Sequence, residues 1–526
     1  MTDSKPLQVL AALDRAALSF QRGIEREGLR VDSNGTLSAK QHPEVFGSKL
    51  SHPMITTDFS ESQLELITPV VADLDQTFET LEEIHQVITR GIGDEILWAA
   101  SMPCVLQGDP NIPLADYGSS NLGRLKKTYR TGLGNRYGRS MQTICAVHYN
   151  FSFPDVFWEQ LAKLENTSNT QAYRSARYFD LIRNFRRFSW LPIYLFGASP
   201  AVCNSFVKGR DHELEPFDEG SLHLPFATSL RSGNLGYQSD AQAKSLEVSY
   251  KDLASYVRSL ATGVTTSYPG YEAMGVKSEA GEYVQLNDCI LQSEAEFYSA
   301  IRAKRVAPSG SNFLQSLLDD GVEYIEVRLM DLDPFEPLGI SPVTVRFLDT
   351  FLLYCLLTDS QVQDDIANAE AKTNMNIAVH EGRRPGVKLM NGEQDVNLTD
   401  WANEILDELQ PVAKQLDDMH KTLGHSESLA LQQTKIDDAN NTPSARILSG
   451  MQEQSIPFFR FAMNQSLRHR ETHLQSELTQ TVADKFNQLA AQSMVKHAEI
   501  DEASDSDFDR YLADVLAAYP SLARQQ

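Results

Sequence analysis

Four segments of this chain alternate between apolar and polar side chains, residue by residue: GIEREGLRV (23–31), SQLELITP (62–69), QTICAVHYNFSF (142–153) and VEYIEVRLM (322–330). Successive side chains of a strand point to opposite faces, so a period of two predicts strands with one face for the core. Glu25 and Glu27 then share a face, and Glu65 points away from Leu64 and Leu66. His148, Asn150 and Ser152 share another, as do Tyr324, Glu326 and Arg328. One such strand reads as the solvent side of an antiparallel sheet. Four of them, with Asp58 in a nearby Thr-Thr-Asp-Phe turn, read as polar faces converging in one sheet. Clustered carboxylates raise one another's pKa unless cations neutralise them. A hard dication, Mg²⁺ or Mn²⁺, suits such oxygen ligands and tolerates one histidine. The pattern points to a multi-metal carboxylate site and phosphoryl chemistry, without naming a substrate.

The remaining pattern predicts α+β. A short helix over 6–19 precedes the first strand, and Ser33-Asn34-Gly35 predicts a hairpin turn to a second. Residues 54–71 hold a strand ending at Pro69. Phe78, Leu81, Ile84, Val87 and Ile88 have helical spacing, and 170–190 reads as a second helix. After Pro342 the pattern turns helical: an apolar helix over 343–358, one over 401–422 kinked at Pro411, and one or two over 457–497. The acidic stretch 499–509 reads as a solvated connection before a short terminal helix. His469 and His473 read as part of a solvated helix face.

The chain of 526 residues carries 71 acidic and 47 basic side chains, a formal charge of −24. That field argues against a nucleic-acid partner but leaves room for a phosphate-bearing ligand held by metal and arginine. The most apolar run, Phe351–Leu357, is far short of the roughly 20 residues of a membrane span. The first residues lack the basic start and small-residue cleavage site of a signal peptide. Five scattered cysteines without a CxxC read as reduced, mostly buried thiols, and the whole as a soluble cytoplasmic protein. P-loop, GxGxxG, HExxH and GxSxG motifs are absent.

The segments RGIEREGLRV (22–31), TTDFSESQLELITP (56–69), YGSSNLGRLKKTYRTGLGNRYG (117–138), MQTICAVHYNFS (141–152), LFGASPA (195–201), ATSLRSGNLGY (227–237) and EYIEVRLMDLDPF (323–335) closely resemble, in order, proteobacterial glutamate–cysteine ligases. SMPC (101–104) fits the same series, and SARIL (444–448) extends it more weakly. The resemblance implies a glutamine-synthetase-like fold: an antiparallel sheet curved into a funnel, with helices outside. It implies a catalytic core over 1–360 and a mostly helical region, 361–526, packed on it. The implied reaction joins the γ-carboxylate of L-glutamate to the amine of L-cysteine through a γ-glutamyl phosphate, with ATP as co-substrate and Mg²⁺ or Mn²⁺ as cofactor. The implied metal ligands are Glu25, Glu27, Asp58, Glu65, His148 and Glu326. Arg328 would contact the transferring phosphoryl group, and Asp58 could accept the cysteine amine proton. Arg231 would bind the cysteine carboxylate, with Tyr129, Tyr237, Tyr298 and Phe59 shaping that pocket. A monomer, and inhibition by glutathione, are further expectations of the resemblance. Rival readings are another ATP-dependent carboxylate–amine ligase with a different acceptor amine, a metal-dependent hydrolase, or a non-catalytic scaffold on the same fold.

Overall fold

The structure, a computed structural model, describes residues 5–103, 105–233, 235, 245–308, 311–361, 365–504 and 507–524. At its centre is an antiparallel sheet. Its strands run, edge to edge, Ile55–Thr57, Gln63–Ile67, Gln21–Val31, Val147–Ser152, Tyr324–Met330 and Ile301–Lys304. A short seventh strand, Ile96–Leu97, pairs with the end of the central strand at Arg30 and Val31. The four strands expected from alternation all lie in this sheet. The expected strand of 54–71 is a hairpin of two, turning through Asp58–Ser62.

The turn at Ser33-Asn34-Gly35 forms, with Gly35 at φ 75 and the Asp32 carboxylate accepting from the Asn34 and Thr36 amides. The expected second strand there shrinks to a single bridge, Val31 with Leu37. The central strand already has partners on both sides, so a hairpin partner has no free edge to occupy.

The rear face of the sheet carries Ile24, Leu64, Leu66, Val147, Tyr149, Phe151, Ile325 and Val327, all 1% exposed or less. Behind it lie the helices Leu74–Gly91, Gln171–Phe188 and Pro342–Leu357. Asp73, Thr170 and Ser341 cap their N-termini by accepting backbone amides. The helix Pro342–Leu357 is buried almost all round, as its apolar sequence requires. The main apolar core is a continuous cluster from Leu10 to Leu522, shared by the sheet and the helices after residue 360; a small second one joins Leu286, Phe508 and Leu512. Those helices include Leu398–His420, continuous through Pro411, and Phe458–Gln475 and Gln480–Glu502. A small hairpin, Lys388–Asn391 with Gln394–Asn397, interrupts the helical region.

Two local expectations are corrected. His473 is 2% exposed, not solvated, and packs between Glu82 and the Pro337 carbonyl. The helix Gln480–Glu502 also runs into the acidic stretch, and Asp507 caps the next helix, Phe508–Leu516. Among the described residues no helix is long and apolar enough to cross a membrane. The described cysteines, Cys145, Cys203, Cys289 and Cys355, are buried free thiols.

Candidate active site

Strand register decides which polar residues meet. Glu27 lies opposite Glu65 on one side, and Glu25 opposite His148 on the other. Asn150 lies opposite Glu326, which lies opposite Arg302 on the edge strand. These pairings set a row of ionisable groups across five strands on the front face. His148 is its hub: its Nδ1 is 3.3 Å from Glu25 and 3.7 Å from Glu326, and its Nε2 is 3.6 Å from Glu27. Arg328 reaches Glu326 at 3.0 Å, and Lys304 reaches its other oxygen at 3.5 Å. Asn150 donates to Glu25 at 2.7 Å, and the Ala146 amide donates to Glu27 at 2.8 Å.

Opposite the sheet, the helix Asn121–Tyr137 presents Tyr129, Arg130, Leu133, Arg136 and Tyr137 to the same space. Sheet and helix enclose a cavity of about 750 Å³. Arg130 donates through Nε to the Asp58 carbonyl and so fastens the helix to the hairpin turn. The cavity is divided electrostatically. Glu25, Glu27, Asp58 and Glu65 form its acidic end; Arg302, Lys304 and Arg328 line the basic one.

Burial and crowding leave the acidic end under strain. Burial, then Asp58 and Glu65, hold the Glu27 carboxyl well above the usual range. Burial, then Glu25 and Asp58, push Glu65 up to about 8. Glu25 and Glu326 go the other way. Burial raises both, but at Glu25 the hydrogen bond and charge of His148 together with the Lys304 charge outweigh it, and at Glu326 the charges of Arg328, Lys304, His148 and Arg302 do. Burial lowers His148, with Arg328 adding to it.

Such an environment fits divalent cations. Glu25, Glu65 and His148 bring three ligand atoms within 4.8 Å of one another. Glu326 Oε2 and Asn150 Oδ1 are buried and accept no hydrogen bond. Mg²⁺ is therefore expected to stabilise the protein without substrates. At about 100 times its dissociation constant it should add about 2.7 kcal/mol per site, reversed by EDTA, in a thermal-shift titration. An unchanged midpoint would remove the carboxylate row from metal binding.

The sequence-derived site residues divide into three groups. Glu25, Glu27, Asp58, Glu65, His148, Glu326, Arg328, Tyr129 and Tyr298 all line the cavity. Tyr237 lies outside the described residues. Arg231 and Phe59 are not among the described residues that line the cavity. Phe59, 1% exposed, lies one layer below, under Gly134. Arg231, also 1% exposed, pairs with Asp331 at 2.7 Å and donates to the Arg328 carbonyl at 3.0 Å. It therefore supports the backbone of Arg328 from behind. Arg231→Lys keeps the charge beside Asp331 but loses the guanidinium's second donor. Kinetics should show kcat falling while the KM for cysteine stays put; a rise in that KM alone would return Arg231 to the substrate.

Sequence reasoning missed Arg130, Arg136, Arg302 and Lys304. The signals were present. Tyr129, Leu133, Arg136 and Tyr137 stand at i, i+4, i+7 and i+8 of a helix, and Arg302 and Lys304 alternate with Ile301 and Ala303.

A sheet that sets buried carboxylates against cationic side chains around one large cavity defines an enzyme acting on multiply charged substrates. The family model for glutamate–cysteine ligase matches residues 7–378, and the chain belongs to that family. It is 46% identical over 516 residues to the glutamate–cysteine ligase of Alcanivorax borkumensis, covering 97% of this chain and 98% of the relative. It is 47% identical over 500 residues to that of Pseudomonas putida, covering 94% and 95%. The fold is similar, at a TM-score of 0.89 and 36% identity, to the crystal structure of glutamate–cysteine ligase from Francisella tularensis in complex with AMP, covering 96% of this chain and 98% of that one. A bifunctional glutathione synthetase from Pasteurella multocida also matches, at a TM-score of 0.70 and 26% identity, over 90% of this chain and 57% of that one.

Proposed function

We propose that this protein is an ATP-dependent ligase that joins the γ-carboxylate of L-glutamate to the amine of L-cysteine, giving γ-glutamylcysteine, ADP and phosphate. The observation that carries the reading is the row of front-face carboxylates, running from Glu65 to Glu326 and ending on Arg328 and Lys304. Family membership supplies the substrates.

A carboxylate is a poor acyl donor, because oxide is a poor leaving group. In the first step a γ-carboxylate oxygen attacks the γ-phosphorus of ATP and ADP departs, leaving an acyl phosphate. In the second the cysteine nitrogen attacks the acyl carbon, the C–O bond breaks, phosphate leaves and the nitrogen loses a proton. Mg²⁺ held by Glu25, Glu27, Asp58, Glu65, His148 and Glu326 would neutralise the phosphate oxygens. Arg328 and Lys304, held by Glu326, would stabilise the charge that builds on the transferring phosphoryl group. Asp58, which lines the cavity, would take the proton of the attacking amine. Tyr129 and Tyr298, which also line the cavity, would shape the cysteine pocket.

Glutathione contains the product dipeptide and should compete for the glutamate and cysteine positions. A working monomer belongs to the same reading. A cytoplasmic location would supply the ATP and the reduced cysteine.

The test is ADP release with glutamate, ATP and Mg²⁺, with and without cysteine, and the product identified by mass. Cysteine-dependent ADP and a γ-glutamylcysteine mass are expected. Release driven only by another amine would move the acceptor assignment, and release with no amine would overturn the ligase reading.

A further inference from the structure

The C-terminal helices reach back to the wall of the active site. Residues 507–524 lie beyond the part of the chain that the family model matches, and none of the chemistry above uses them. Helix Phe508–Leu516 packs on helix Asn121–Tyr137. The helix Tyr519–Ala523 follows it, with Tyr519 and Leu522 in the main core.

Phe508 and Leu512 are buried but stand apart from that core. With Leu286 they make the small second cluster, against which Leu125, Tyr129 and Tyr283 pack. The Arg124 guanidinium lies over the Phe508 ring at 4.3 Å, and the Tyr283 ring meets it near-perpendicular at 5.2 Å. Asp509 accepts from Lys277 at 2.7 Å and from the Tyr283 hydroxyl at 2.9 Å. The docking thus joins the helix of Tyr129 to the segment that carries Leu286.

Tyr129 connects this cluster to the site: it lines the main cavity and packs against the cluster. Its backbone is tied to the same cluster through Gln292. The Leu286 amide donates to Gln292 Oε1 at 3.0 Å, and Gln292 Nε2 donates to the Tyr129 carbonyl at 3.1 Å. Gly132 makes room for this link, since a Cβ there would stand 2.0 Å from Gln292 Oε1. The Gln292 amide donates to Glu296 at 2.8 Å, and Arg136 meets the other Glu296 oxygen at 3.0 Å. Glu296 stands two residues before Tyr298. The cluster that Phe508 fills therefore backs the helix of Tyr129 and, through Gln292 and Glu296, the segment of Tyr298.

We propose that Phe508 is a positioning residue of the cysteine pocket, acting through Tyr129 without touching substrate. The proposal rests on the ligase reading above and deepens it. A ring with a close-packed cluster behind it holds one place; a void behind it lets it move, because neighbours relax into the space. A shift of about 1 Å in a group that orients a reactant costs up to about 100-fold in rate. The carboxylates and Arg328 belong to the sheet, on the opposite wall, so formation of the acyl phosphate is spared.

The test is steady-state kinetics of full-length Phe508→Ala. Its kcat/KM for cysteine should fall about tenfold or more, with the KM values for glutamate and ATP within about twofold of normal. Phe508→Leu, which refills most of the space, should recover most of the loss. In a Tyr129→Ala background the penalty of Phe508→Ala should shrink to about twofold, since the ring it positions is gone. An unchanged kcat/KM for cysteine, an equal worsening for all three substrates, or a penalty undiminished without Tyr129 would each overturn the proposal. If Phe508→Ala does not fold, Asp509→Lys loosens the same docking at its exposed edge and leaves the buried cluster intact. It should lower kcat/KM for cysteine about threefold, the worth of an exposed ion pair, and no change would overturn the proposal. The unaltered chain is assayed alongside: absence of cysteine-dependent ADP there defeats the ligase reading, and the proposal with it.

Discussion

Glu326→Gln is expected to lower the rate of cysteine-dependent ADP formation by about 10³-fold or more while the protein stays folded. Glu326 is 1% exposed and sits among Arg328 at 3.0 Å, Lys304 at 3.5 Å and His148 at 3.7 Å. Its carboxylate does two things at once: it is the negative charge that orients two cations, and its Oε2, 3.5 Å from Lys304, accepts no hydrogen bond. The amide matches it in shape and keeps one acceptor oxygen, so packing is preserved. The charge is lost, and the NH₂ group would point at either a cation or the metal position. Loss of both effects in the transition state lowers kcat and kcat/KM together. Circular dichroism and the thermal midpoint should stay near those of the unaltered chain. Turnover within about tenfold of normal, a difference of only about 1.4 kcal/mol in barrier, would remove Glu326 from the reaction.

The carboxylate row was legible because its cause is local. Side-chain direction in a strand follows from residue parity, so Glu25 with Glu27, and Glu326 with Arg328, could be placed on one face from spacing alone. That these faces belong to one sheet is a long-range fact, and His148 meeting Glu25 and Glu326 depends on register that no single segment contains. The cationic side of the cavity was less visible. Helix Asn121–Tyr137 is glycine-rich and polar, and its inward face carries few apolar residues to draw attention to Arg130 and Arg136. Arg231 is the opposite case. Its motif resemblance implies a substrate ligand, whereas in this structure Asp331, 100 residues away, holds the guanidinium. His473 was misread because helical spacing says nothing about Glu82, which arrives from a helix nearly 400 residues earlier.

Asp349→Ala is expected to cost about 3–5 kcal/mol of stability, more than any cavity-facing substitution, because it strands a buried charge. Asp349 lies in the apolar helix Pro342–Leu357 and is 0% exposed. The Arg22 guanidinium grips it from Nε at 2.9 Å and Nη2 at 2.7 Å, and the Tyr149 hydroxyl donates to it at 2.5 Å. Arg22 also donates to the carbonyls of Phe20 and Ala72. One aspartate thus joins the central strand, the His148 strand and the rear helix, and fixes from behind the two strands that carry Glu25, Glu27 and His148. Removing it leaves the guanidinium charge without its counter-ion, and Nε, Nη2 and the Tyr149 hydroxyl without the acceptor they share. Asp349→Asn should cost less, since the amide oxygen still accepts from Tyr149 or Arg22. A double change, Asp349→Ala with Arg22→Met, should cost less than the sum of the single changes, because the stranded charge is gone. Denaturant midpoints of the four proteins measure this directly. If the single and double changes add, the three groups act independently, and the rear anchor is not what holds the catalytic strands in register.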